Sequence, residues 1–313
     1  MSSTDPDSSA PPVPAASGEA PPAVAPVPPA ADPEPSLADL RAELDRLDDA
    51  MHDLLMQRAQ VVTRVAALGA QGRKIPFRPG REAEIIRRLL ARHRGPLPRR
   101  ALPRLWRELL AATTAMQGNF VITVCESDPP GGFATLAREH FGVMTPLRVH
   151  RSPAQAIAEV SSGAATAAVL PLPVEDEPAR AAWWTALLHR DEPRIHVVAR
   201  LPFWAPRTEG ASQAQAMVVA AAAPDRSSAD RSLLGFELPP EMSRARLAGA
   251  LTAAGLAPAS IILRRDPAGH IAHGLIDVDG YVTDDDPRLA SLGEAMRRPV
   301  VLGAYAVPVE GEP

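Results

Sequence analysis

Between Ser36 and Leu68 the chain carries more than four heptads with two apolar positions each. Leu37, Leu44, Met51, Arg58 and Val65 fill one position; Leu40, Leu47, Leu54, Val61 and Leu68 fill the other. Such a seam predicts one long helix whose apolar stripe needs a partner. Arg58 is its single polar member. A guanidinium in a dry seam has to meet a carboxylate, because leaving it unpaired costs several kcal/mol or more. Either a neighbouring helix or a ligand supplies that acid. Arg41 flanks the same stripe about 25 Å further up, at 1.5 Å of rise per residue. No small ligand reaches both on one helix, but a second copy running antiparallel would bring the Arg41 of one chain beside the Arg58 of the other.

The rest of the chain reads as a multidomain protein. Residues 1–35 hold eleven prolines and no aromatic residue, which predicts a disordered tail. Ser36 with Asp39 makes a capping-box start for the long helix, and Gly69 and Gly72 end it. A second helix spans Arg81 to His93, with Ile85, Ile86, Leu89 and Leu90 on its apolar face. A third runs to Gln117, with a stripe of Trp106, Leu110, Thr113 and Gln117 that turns polar at its end. Residues 36–118 thus form an all-α module. Residues 119–205 alternate short strands and helices, an α/β lobe with a largely parallel sheet. Residues 206–230 read as a linker apart from one strand at Ala216 to Ala221. Residues 231–309 follow a βαββαβ order, which predicts a ferredoxin-like α+β domain.

Several classes of function are disfavoured. Cys125 is the only cysteine, which removes internal disulfides and thiolate metal sites. No secretory or membrane-spanning stretch is evident, so the expected location is the cytoplasm. The eight arginines from Arg87 to Arg107 point to several faces, which argues against nucleic acid. Asp284 to Asp286 lacks the spacing of a calcium loop; neither a metal nor a cofactor is expected. The net charge of −4 conceals a helical module at +7, which should attract an anion.

The residues of that module that break the apolar rule are Arg41, Arg58, Arg81, Glu82, Thr113 and Gln117. The set is poor at nucleophilic attack and well suited to gripping a small dianion. The run from Leu37 to Arg58, then Pro79-Gly-Arg81-Glu82, then Trp106 through Thr113 to Gln117, resembles the all-helical class of chorismate mutase. That resemblance implies a homodimer converting chorismate to prephenate, with each site taking one arginine from the partner chain. Arg41 matches the donated arginine and Arg58 the in-chain arginine that binds substrate carboxylate. Arg81 and Glu82 match pocket residues, Thr113 stands where the family often has serine, and Gln117 matches the glutamine at the ether oxygen. Two positions depart. Gly69 replaces a lysine near the ether oxygen, for which Lys74 or Arg73 could substitute, and Arg78 replaces an aspartate.

Residues beyond Phe120 resemble, more faintly, the dehydratase part of bifunctional mutase/prephenate dehydratases. The Thr-Arg-Phe signature is absent near Gln215 to Met217, and the glycine-rich opening survives only as Pro130-Gly-Gly-Phe133, so no dehydratase activity is expected. Residues 231–309 resemble an ACT regulatory domain through Asp277-Val-Asp-Gly280 and Leu302-Gly-Ala-Tyr305. The family's phenylalanine-binding motifs are replaced by Ser243 to Leu247 and Leu263 to Pro267. The alternative reading is a non-catalytic helical dimer that binds chorismate, an aromatic amino acid or a partner enzyme.

Overall fold

Ser36 opens the first helix. Its hydroxyl accepts from the Asp39 N–H at 3.2 Å and the Asp39 carboxylate accepts from the Ser36 N–H at 3.0 Å, which satisfies two donors at the helix end reciprocally. In this computed structural model, residues 35–70, 77–127, 130–204, 210–265, 270–292, 296 and 299–310 are described. Helix α1 runs Leu37–Ala70, one residue past Gly69. The chain divides into two compact units, residues 1–54 and 55–313. The described part of the first is the N-terminal stretch of α1, where Leu44, Met51 and Leu54 are each at least 60% exposed. Those apolar side chains stand exposed.

In the second unit, α2 (Pro79–Arg92) and α3 (Ala101–Ala115) bury Ala83, Ile86, Leu90, Leu102 and Leu110 together with Phe203 and Ala306. Of the expected α2 stripe, Ile86 and Leu90 are buried, and Ile85 and Leu89 lie partly buried at its edge. The elements that follow are β1 (Ile122–Cys125), α4 (Phe133–Phe141), β2 (Leu147–His150), α5 (Pro153–Ser161), β3 (Ala167–Pro171), β4 (His196–Leu201), β5 (Ala216–Ala220), β6 (Asp230–Leu238), α6 (Arg244–Ala253), β7 (Pro258–Arg265), β8 (Ala272–Asp279), α7 (Pro287–Ala290) and β9 (Val300–Ala306). Among the described residues, nine strands form one sheet in the order β2-β1-β3-β5-β4-β9-β6-β8-β7.

The sheet is mixed. β1 pairs parallel with β2 and β3, whereas β5 is antiparallel to both its neighbours, β3 and β4. The segment read as a linker therefore contributes a central strand with all five residues buried, because Ala216 to Ala220 is an uncharged run able to face two cores. Period-two alternation sorts the side chains between those cores. Val121, Cys125, Ala168, Leu170, Met217 and Val219 face one, with Ala156 and Val160 of α5. Ile122, Val124, Ala167, Val169, Ala216 and Val218 face the other, with Leu136 and Phe141 of α4. Between β3 and β4 a 3-10 helix at Trp183–His189 buries Trp183, Trp184, Leu187 and Leu188.

β4 meets β9 in parallel through Val197 and Gly303. Gly303 has φ +142°, and a Cβ there would stand 2.1 Å from the Val197 carbonyl oxygen, so only glycine fits this close approach. β9, β6, β8 and β7 are joined by antiparallel pairings, with α6 between β6 and β7 and α7 before β9. Leu234, Phe236, Leu247, Leu251, Ile276 and Leu289 belong to the core between these elements.

The helices α2 and α3 are fastened to the sheet by specific contacts. Phe77, Phe120 and Phe141 form a triangle with ring centroids 5.7–6.2 Å apart. Arg78 grips Asp225 with two nitrogens at 2.9 and 3.2 Å, and Gly80 lies so close that a Cβ would be 2.4 Å from the Asp225 carbonyl oxygen. Arg87 donates to the carbonyls of Ala229 and Val307.

Candidate active site

Arg58 sits on the α1 seam and reaches α3. Its Nη1 donates to the Thr113 hydroxyl oxygen at 3.1 Å, while that hydroxyl donates back to the Leu109 carbonyl at 2.8 Å. Such i−4 back-bonding is the usual resting place for a helical threonine hydroxyl, and it leaves the oxygen's lone pairs turned toward the guanidinium. One turn on, Gln117 Nε2 donates to the Thr113 carbonyl at 3.1 Å. Arg58 is partly buried, and desolvation lowers its pKa. Among the described residues no carboxylate lies within ion-pair distance of it. Among the described residues, the Thr113 hydroxyl is its hydrogen-bond acceptor.

The other candidates are placed as follows. Arg81 is exposed at the start of α2. Glu82, beside it, turns inward: its Oε2 accepts from Arg107 Nη1 at 2.9 Å in a pair that is almost fully buried. Desolvation raises the Glu82 pKa against the opposing pull of Arg107. The structure thus joins Arg58 to Thr113, leaves Gln117 bonded to the backbone one turn before it, and joins Glu82 to Arg107 instead. Arg41 lies exposed in the first unit. Lys74 and Arg73 fall outside the described residues. Gly69 is helical, with open space where a Cβ would stand. Arg78 engages Asp225, so a carboxylate does return to the start of α2, supplied from the loop before β6.

Sequence reasoning passed over Arg107 among eight arginines. The usable signal was its place one residue beyond Trp106, on the flank of the α3 stripe, where a half-buried cation calls for an acid on the facing helix. Among the described residues, no helix is long and apolar enough to cross a membrane, and no cluster of three His, Cys, Asp or Glu could hold a metal.

A long helix and two shorter ones make up the helical module, in which Arg58 of the first meets the Thr113 hydroxyl near the end of the third. Residues 40–118 match the model of the chorismate mutase type II family. The chain is 29% identical over 142 residues to the bifunctional chorismate mutase/prephenate dehydratase of Pseudomonas aeruginosa, covering 42% of this chain and 38% of that protein. It is 28% identical over 139 residues to the protein of the same description from Stutzerimonas stutzeri, with coverage of 42% and 38%. The chain thus spans about two fifths of the length of the curated relatives it matches. Among solved structures, a quorum-quenching acylase aligns at TM-score 0.46 and 17% identity over 61% of this chain and 96% of that one. The prephenate dehydratase of Arthrobacter aurescens in complex with L-Phe aligns at 0.43 and 17%, over 59% and 90%.

Proposed function

We propose that the chain is a homodimeric chorismate mutase that rearranges chorismate to prephenate and has no dehydratase activity. The observation that carries this reading is Arg58: partly desolvated, held by Thr113 and without a carboxylate partner among the described residues. A dicarboxylate substrate supplies the missing anion. Arg58 grips one carboxylate, and Arg41 of a second copy, running antiparallel along the exposed α1 seam, grips the other. Fixing both carboxylates selects the reactive diaxial conformer, and much of the rate gain in a reaction without covalent intermediates comes from that preorganisation. As the ether bond lengthens, Gln117 stabilises the charge growing on its oxygen. Arg81, exposed at the start of α2, adds positive potential to the site.

Two observations support the lack of dehydratase function. The Glu126 carboxylate occupies the turn at Pro130-Gly-Gly-Phe133, accepting from the Gly131 N–H at 2.6 Å and the Ala134 N–H at 2.9 Å. A substrate anion would have to displace this internal one. Met217, at the place of the missing Thr-Arg-Phe signature, is buried in the sheet core. The four strands β9-β6-β8-β7 with α6 and α7 are, on this reading, a ferredoxin-like, ACT-like unit retained as structure. The test is to incubate the purified chain with chorismate: prephenate should accumulate without phenylpyruvate. No consumption of chorismate by folded protein would sink the catalytic reading, and phenylpyruvate would sink the claim about the second activity.

A further inference from the structure

We infer that a cavity between α3, α4 and the stretch Pro202 to Trp204 binds a small organic carboxylate with a flat apolar body. Its volume is about 540 Å³, within the range of cavities that take drug-sized ligands. Its lining includes Arg107 but neither Arg58, Thr113 nor Gln117, and Arg107 and Thr113, six positions apart on α3, are about 120° apart around that helix.

The cavity wall contains a buried cation with donors to spare. Arg107 is 6% exposed and lines the cavity. Its Nη1 donates to Glu82, but a guanidinium has five N–H donors, and no other acceptor for them is found among the described residues. The guanidinium lies 5.2 Å from the Phe203 ring centroid, which fixes its plane against an aromatic wall. Burial outweighs the attraction of Glu82 and draws the Arg107 pKa down to about 10, so a second carboxylate would stabilise the cation. His140, 8% exposed, lines the same cavity, and its Nε2 has no hydrogen-bond partner among the described residues.

The remaining lining fits an anion with an apolar body. Four arginines face two glutamates, and Glu108 is already committed to the Val143 N–H at 3.0 Å. Arg104 is exposed at the rim with no carboxylate in ion-pair distance among the described residues. Leu136, Phe203 and Trp204 present apolar surface. A flat ring system would lie against these three while its carboxylate reaches Arg104 and the free edge of Arg107. Charge-assisted bonds of this kind are roughly twice as strong as neutral ones.

The probe is 2-naphthoate, titrated calorimetrically into the full chain beside its neutral counterpart 2-naphthamide. The expected result is one saturable site per chain, about tenfold tighter for the carboxylate. Arg104→Gln, a rim change that leaves the buried pair untouched, should weaken naphthoate about tenfold and leave the amide unaffected. Arg58→Ala should leave naphthoate binding unchanged, which separates this cavity from the mutase site. Equal affinity for the two probes, no saturable binding, indifference to Arg104→Gln, or loss in Arg58→Ala would each overturn the assignment.

Discussion

Arg58 Nη1 lies 3.1 Å from the Thr113 hydroxyl oxygen across 55 residues of sequence, and this contact ties the polar member of the α1 seam to the polar end of the α3 stripe. The hydroxyl holds the guanidinium without neutralising it. Thr113→Val keeps the shape and removes the acceptor. The expected outcome is a folded protein whose KM for chorismate rises about tenfold, in line with roughly 1 to 1.5 kcal/mol for a lost hydrogen bond. A steady-state comparison of KM and kcat checks it.

Gly69 offers a gain-of-function test. A Cβ at this helical position meets nothing within 4 Å, and glycine inside a helix costs about 1 kcal/mol relative to alanine. Gly69→Lys should raise the melting temperature and, by returning a cation near the breaking ether oxygen, raise kcat by on the order of a hundredfold. An unchanged kcat would mean that the position no longer faces the site.

Part of this was legible from residue pattern alone. The capping box at Ser36 and Asp39 and the long helix follow from periodicity. The link from Arg58 to Thr113 does not, because a guanidinium in a seam calls for a carboxylate and the structure supplies a hydroxyl. The fate of Glu82 was not legible, because a carboxylate beside an arginine reads equally as a pocket acid or as half of a buried pair, and Arg107 lies 25 residues away on another helix. The position of β5 escaped for a related reason. A short apolar run between loops reveals neither its sheet neighbours nor its direction; long-range pairing sets β5 between β3 and β4, and the β4–β9 pairing merges the lobe and the C-terminal strands into one sheet.

Gly303 marks the joint of that sheet. With φ at +142° and the Val197 carbonyl oxygen 2.1 Å from a would-be Cβ, Gly303→Ala must part β4 from β9 or twist β9 locally. The expected cost is about 2 to 4 kcal/mol, the scale of overpacking added to backbone strain. Denaturant unfolding should show an earlier midpoint.

Stability should fall in mild acid. Burial, assisted by nearby Arg107, holds the His140 pKa well below its ordinary value, and burial with Arg194 lowers His196 in the same direction. A histidine depressed in the folded state leaves the unfolded state binding more protons below about pH 6.5, so stability is complete above that value and declines beneath it. Glu82, raised by burial, acts in the opposite sense, its contribution declining as pH rises. The histidine effect is therefore isolated by comparing wild type with His140→Gln. Between pH 6.5 and 5.5 the wild type should lose about 1 kcal/mol more than the variant, by denaturant unfolding at each pH.

The central claim is a mutase site shared between two chains and centred on Arg58. Its most direct test is chorismate turnover by Arg41→Ala and Arg58→Ala, each alone and then mixed after unfolding and refolding together. Each variant alone should be nearly inactive. Random pairing gives half the dimers one chain of each kind, and one of the two sites in such a dimer is intact, so about a quarter of wild-type activity should return in the mixture. Wild-type activity in Arg58→Ala alone, or no recovery on mixing, would contradict the account.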